Sequence, residues 1–246
     1  MPGTLRSYSL IDLSWPEIAA HLERDRRLIL PVGACDQHGP HLPLGASTCI
    51  AESLADDLSR EFGVLRAPTF AYGVNVPTER TFPGTASLSG KTLHRALNEL
   101  VAAWEAHGFT EIVMITASEH DPQAEAMATV YAETARVRVV EALAVDLSEY
   151  LSDPGGPQHG GETVTSLLLY LRPEVVDMDA AEDCLMDPDK YRRYLRGHLK
   201  ALPADCPGSI GRPTLATAET GRRIYEHILE RIRQKVFVAP PDDDMA

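Results

Sequence analysis

Two rhythms of apolar residues run along this chain. In the first, apolar positions fall three or four apart. Thr48–Phe62 carries Ile50, Leu54, Leu58 and Phe62 on one stripe, and the region Ala218–Val236 carries Ile224, Ile228 and Ile232 in the same way, the spacing of amphipathic helices. Leu13–Arg24, opened by Ser14 and Pro16, Lys91–Ala106 and Pro122–Thr134 read as further helices, and the stretch GGPQHGGET opens one that carries Leu167, Leu168 and Leu169. In the second rhythm short apolar runs stand almost unbroken: Arg27–Gly33, Val64–Pro68, Thr110–Ala117 and VRVVEALAVDL from Val137. These read as buried strands. Strands alternating with helices predict an α/β fold with a mainly parallel sheet covered on both faces. No repeat or linker divides the chain, so one domain is expected over residues 1–246, with 239–246 as a mobile tail. The Pro-rich stretch Leu202–Pro213 reads as a surface excursion.

Composition narrows the partners. The 246 residues carry 23 Lys and Arg against 36 Asp and Glu, a formal net charge of −13. Such a balance repels phosphate backbones, so nucleic acid is not an expected partner. The polar start MPGTLRSYSLIDLSWPEIAA has no apolar leader, and no apolar run is long enough to span a membrane. Cys35, Cys49, Cys184 and Cys206 show no CxxC spacing, which suits reduced thiols in a cytoplasm.

Three polar clusters stand at strand ends, where open α/β sheets gather their sites. CDQHGPH follows the first strand. In extended chain Asp36 and His38 point the same way, with Cα atoms roughly 6.5 Å apart, close enough to share a cation. A solvated strand end with a capping aspartate is the plainer reading of that pair. SEHD, Ser118–Asp121, follows the third run. A helix cap accounts for Ser118, Asp121 and Pro122 but leaves His120 unexplained. In QHGGET, His159 has the pKa range of a general acid or base, Glu162 suits a helix N-terminus, and the two glycines would let a substrate approach the backbone.

Taken with LPVGACDQHGPHLPLGAST, FPGTASL, HGFTEIVMITA, HGGETVTSLLLYLRPE and RPTLATAETGRRI, these clusters resemble the creatininase (creatinine amidohydrolase) family over most of the chain. The resemblance implies a three-layer α/β/α sandwich with a mostly parallel sheet. It also implies a homo-oligomer, often a hexamer, and a two-metal centre that hydrolyses cyclic or small amides, with relatives acting on peptides and formamides. The ligand positions depart from the family pattern. Asp36 stands where the family has Glu, and His38 is kept. The bridging Asp falls on Ser47, a ligand His falls on Ser118, and His120 stands at a Glu position. His159 and Glu162 survive. Serine is a poor ligand for zinc at neutral pH, so an intact two-metal centre is not expected.

Two enzymatic readings and one binding reading follow. The first is an amidohydrolase with one divalent metal (zinc, manganese or iron) on Asp36, His38 and His120, with His159, Glu162 and Glu119 moving protons. The second has no metal and uses the same groups as acids and bases in an isomerase, cyclase or dehydratase of specialised metabolism. The third is a non-catalytic family member. Ser47 and Ser118 would face a small-molecule substrate. Arg80 would bind a substrate carboxylate or form an ion pair with Glu79 or Asp36.

Overall fold

In the computed structural model, residues 7–155 and 158–238 are described; the expected tail over 239–246 lies outside them. Four parallel strands form one sheet in the order β2-β1-β3-β4: β1 Arg27–Val32, β2 Leu65–Arg66, β3 Glu111–Thr116 and β4 Arg136–Glu141. Leu28, Ile29, Leu30, Val32 and Ile112 to Ile115 are fully buried. Strands sealed on both faces need apolar residues at every position, which is why these runs show no alternation in sequence.

The period of two sorts them between two cores. Ile29, Val113 and Ile115 pack with helices α2 (Ala46–Phe62), α5 (Glu162–Leu171) and α7 (Ala218–Ile232). Leu28, Leu30, Val32, Ile112 and Met114 pack on the other face with α3 (Gly90–Ala106) and α4 (Asp121–Ala128), and α1 (Trp15–Leu22) lies against that core through Ile18 and Leu22. The three-layer α/β/α arrangement is therefore present. Pro31 is tolerated in a central strand because β2 pairs only with Leu28 and Ile29; beyond them Phe70 N donates to Pro31 O at 3.0 Å.

Two expectations need correction, and one helix is new. The helix predicted to run to Thr134 ends at Ala128. The Glu105 carboxylate gathers the backbone N–H groups of Glu133, Thr134 and Ala135, and this fixes the turn into β4. The Pro-rich stretch is not wholly a surface excursion, because Gly208–Gly211 is buried and Ile210 exchanges backbone hydrogen bonds of 2.7 Å with His159. Helix α6, Pro188–Leu195, was not foreseen. It is short and mostly charged, but Tyr191, Tyr194 and Leu195 fall on one side and close a small third core with Val76 and Met186.

Candidate active site

The carboxyl ends of β1 and β3 carry most of the site. β1 leads through Gly33 into the loop that holds Asp36, Gln37 and His38. Thr48, in the first turn of α2, fixes that loop, since its Oγ1 donates to Ala34 O at 2.8 Å and accepts from Ala34 N at 3.1 Å. A Cβ on Gly33 would lie 2.0 Å from Thr48 Oγ1, so only glycine fits there. β3 leads into Glu119 and His120, and His120 is the N-cap residue of α4. His159 enters from the segment before α5. There Gly160, at φ +59°, would place a Cβ 2.3 Å from His38 O. The glycine is thus required by the chain's own close approach to His38, where a substrate approach was expected.

Three imidazoles stack in a row. The His159 ring lies 4.7 Å from His38 on one side and 5.2 Å from His120 on the other, at interplanar angles of 23° and 26°. Carboxylates flank the row. Asp36 sits 3.8 Å from Nδ1 of both His38 and His120. His159 Nδ1 is 3.1 Å from Glu119 Oε2, and its Nε2 is 3.7 Å from Glu79 Oε2 and 2.9 Å from Gln37 O. Tyr194 OH donates to Glu79 Oε1 at 2.7 Å and lies 3.1 Å from His120 Nε2. Asp36, His38, Glu79, His120, His159 and Tyr194 are all at most 2% exposed.

Burial drives the charge states apart. Desolvation pushes the Asp36 carboxyl up to about 7 against the pull of His159. It lowers His38 to about 4 and His120 to about 3, helped by repulsion from His159. His159 itself is raised well above the ordinary histidine value: desolvation opposes its charge, but Glu79 and Glu119 outweigh that. Glu79 is also desolvated, yet His159 brings it down to about 2.

The donor groupings differ from the expected set of Asp36, His38 and His120. One nitrogen or oxygen atom each from His38, Glu119 and His159 lie within 4.8 Å of one another, and so do atoms of Glu79, His120 and His159. His159 belongs to both sets. Two donors of the second set, Glu79 Oε2 and His120 Nδ1, are buried without a hydrogen-bond partner. Imidazole nitrogens with carboxylate oxygen are a donor set that zinc, manganese and iron accept, so these residues fit a divalent cation.

Of the remaining expected residues, Glu162 and Arg80 are engaged elsewhere, while Ser47 and Ser118 touch Asp36 and His120. Glu162 accepts from Ser152 N and Asp153 N at 2.8 and 3.1 Å, which ties down the loop before α5. Arg80 donates to Asn75 O from Nε and Nη2 at 3.1 and 2.9 Å, and among its described contacts there is no pair with Glu79 or Asp36. Ser47 Oγ donates to Asp36 Oδ1 over 3.4 Å. Ser118 Oγ accepts from His120 N at 3.4 Å and shapes the turn into α4. Glu79 and Tyr194 were missed as site residues. Glu79 sits in a loop dense in Gly and Pro, where an acid resembles any solvated charge. The three- and four-residue spacing of Tyr191, Tyr194 and Leu195 was a signal for α6, but it was hidden among Asp, Lys and Arg.

Comparison with known proteins agrees with this architecture. The family model described as creatinine amidohydrolase matches residues 11–236. A mycofactocin precursor peptide peptidase from Mycolicibacterium smegmatis is 31% identical, covering 87% of this chain and 86% of its own. The creatinine amidohydrolase of Pseudomonas putida is 26% identical, covering 92% and 94%. A mutant creatininase of Zn-Zn type superposes with a TM-score of 0.78 over 94% of this chain and 98% of its own, at 24% identity, a likeness of fold. A match over this span, joined to the shared three-layer sheet, makes the chain a member of the creatininase family.

Proposed function

We propose that this protein hydrolyses an amide C–N bond in a small molecule, using one divalent cation held by Glu79, His120 and His159. The observation that carries the reading is the pair of buried atoms without a hydrogen bond, Glu79 Oε2 and His120 Nδ1, beside His159. Leaving such atoms unpaired costs about 1–3 kcal/mol each, and a cation would satisfy both. Both donor sets draw on His159, which is the reason for proposing a single cation. When bound, such a cation polarises an amide carbonyl and acidifies water.

The chain's own residues then take separate parts. Glu119 orients the His159 ring through Nδ1, as a carboxylate behind a ligand histidine does. Asp36, 3.8 Å from Nδ1 of both His38 and His120, can take a proton from water and return it to the leaving nitrogen. This exchanges the expected roles of Asp36 and His159. Tyr194 holds Glu79 in place through its hydroxyl. Glu162 is left to the loop.

A second reading, a metal-free isomerase, cyclase or dehydratase, is favoured by one contact pattern. Both His159 nitrogens face acceptors, Glu119 Oε2 and Gln37 O, as in a charged imidazolium. Elemental analysis of protein purified without chelator separates the two. The hydrolytic reading expects about one equivalent of metal per chain and chelator-sensitive cleavage within a panel of lactams, formamides and short peptides. Metal-free protein that remains active on a panel compound would favour the second reading.

The family resemblance further supports self-association, and the cysteines without CxxC spacing support a cytoplasmic setting. Light scattering at micromolar concentration should then give a multiple of 26.9 kDa. The 26.9 kDa species alone would count against it.

A further inference from the structure

A cavity of about 440 Å³ opens beside the histidine row, past the carboxyl ends of β3 and β4. Its size is that of an ordinary small-molecule pocket. It meets the site at Glu119, whose side chain is 11% exposed and lies in its wall, while His159 behind it is 1% exposed. The other groups of the row are sealed from solvent. A substrate portion lodged in this cavity therefore sits one side chain away from His159.

The wall has a single sign of charge. Glu119, Asp121, Glu141 and Asp146 line it, and no Lys, Arg or His does among the described residues. Arg196 reaches Asp121 from outside at 3.8 Å, with a side chain 64% exposed, and so offsets one of the four. Glu119 is already engaged by His159. Glu141 and Asp146 remain as the charges that a ligand would meet. Gln158, also in the wall, keeps its amide Nε2 buried without a hydrogen-bond partner. The rest of the lining mixes hydroxyl groups, Ser118, Ser148, Thr163 and Tyr191, with hydrocarbon, of which Leu143, Leu147 and Leu195 are the main side chains.

We infer that this cavity receives the non-reacting end of the substrate, and that this end is a protonated amine or guanidinium carried on a short hydrocarbon segment. The inference rests on the hydrolytic reading for the reacting end, but the charge and lining of the cavity carry it independently. Glu141 and Asp146 are exposed on the open side of the cavity, and a surface of one sign concentrates the opposite charge, whereas a carboxylate there would meet both with no counter-ion. This reverses the substrate chemistry expected from Arg80, which the Asn75 carbonyl occupies.

Three probes of similar length and different charge test it: pentylamine, pentan-1-ol and hexanoate, titrated into the full-length protein and followed by calorimetry or NMR shifts. Pentylamine should bind about tenfold tighter than pentan-1-ol, a difference of ~1.4 kcal/mol, and hexanoate should not bind detectably. The preference should shrink as salt is raised to about 0.5 M, because part of the cavity is open to solvent. Asp146→Asn combined with Glu141→Gln should bring pentylamine to within about threefold of pentan-1-ol, less than a tenfold step of 1.4 kcal/mol, with pentan-1-ol unchanged. Hexanoate binding as well as pentylamine, or an unchanged preference in the double variant, would overturn the inference. Hydrolysis is scored separately on amides with amine, neutral and carboxylate tails. An amine preference without cleavage of any amide leaves the inference standing and removes the hydrolytic reading. Cleavage indifferent to tail charge does the reverse.

Discussion

The two halves of the histidine row are built from the same chemistry and end in opposite charge states. On one half Asp36 lies between His38 and His120, all three are desolvated, and the result is a neutral arrangement: a carboxyl raised to about 7 and imidazoles lowered to about 4 and about 3. On the other half His159 stands between Glu79 and Glu119 and is held charged, with Glu79 drawn down to about 2. Glu119 is 11% exposed while the other groups are sealed, but Asp36 and Glu79 are both buried and shift in opposite directions, so the difference is in pairing. Two carboxylates converge on one imidazole in the second half, and one carboxylate is shared by two imidazoles at a longer 3.8 Å in the first. Within a buried site, ionisation follows from which group is outnumbered.

The sharpest way to break this contrast is Glu79→Gln. It removes the partner of a buried charged His159 and should cost about 3–5 kcal/mol at pH 7, the usual penalty for breaking a buried ion pair, read from urea midpoints of chelator-treated protein. Glu79 has a folded pKa of about 2 against an unfolded value of 4.5, so its stabilising contribution is complete above pH 4.5 and disappears as the pH falls towards 2. The cost of the substitution should shrink over that window. A cost that stays flat with pH would mean Glu79 is not ionised in the fold.

Tyr194→Phe should cost less, about 1–3 kcal/mol, because it deletes one hydroxyl that satisfies Glu79 and leaves that carboxylate short of a donor. The same variant should lower metal affinity if Tyr194 holds Glu79 in position, and equilibrium dialysis against zinc reads this directly.

Asp36→Asn should cost about 1 kcal/mol or less at pH 5, where the asparagine mimics the neutral carboxyl already present. Here the pH signature is reversed. A carboxyl raised from 3.8 to about 7 destabilises the fold progressively as the pH rises through that window. The variant should therefore gain in melting temperature relative to the parent between pH 5 and pH 8, again in metal-free protein. A difference that moves the other way would mean that Asp36 is ionised beside its histidines.

The smallest effect is expected far from the row. Glu105 is half-buried and is lowered from 4.5 to about 2, first by the Thr134 hydroxyl and then by the backbone N–H groups of the following turn. Its contribution is present above pH 4.5 and lost as the pH falls towards 2. Glu105→Gln should loosen the turn into β4, seen as faster amide exchange over residues 133–135, with metal binding unchanged.

The layered α/β fold was legible in the sequence because its causes are local: uninterrupted apolar runs that only a doubly covered strand needs, and stripes at helical spacing that only an amphipathic helix needs. His38, His120 and His159 could be singled out for a related reason, since each follows a strand or opens a helix in a chain where such ends converge. Which carboxylate serves which imidazole was not legible. Glu79 and Glu119 reach His159 across separations of 80 and 40 residues, and the choice depends on side-chain distances of a few ångströms that no spacing encodes. Helix α6 shows the same limit, because its charged residues dominate the pattern while a single buried tyrosine hydroxyl does the work at the site. Glu162 shows the converse. It stands at a position the family resemblance marks, yet its carboxylate is occupied by two backbone N–H groups of a neighbouring loop. The sequence by itself determined the layers, the strand ends and the imidazoles. The tertiary structure alone decided the pairing, and through pairing the charge, because burial makes each ionisable group depend on the few atoms that touch it.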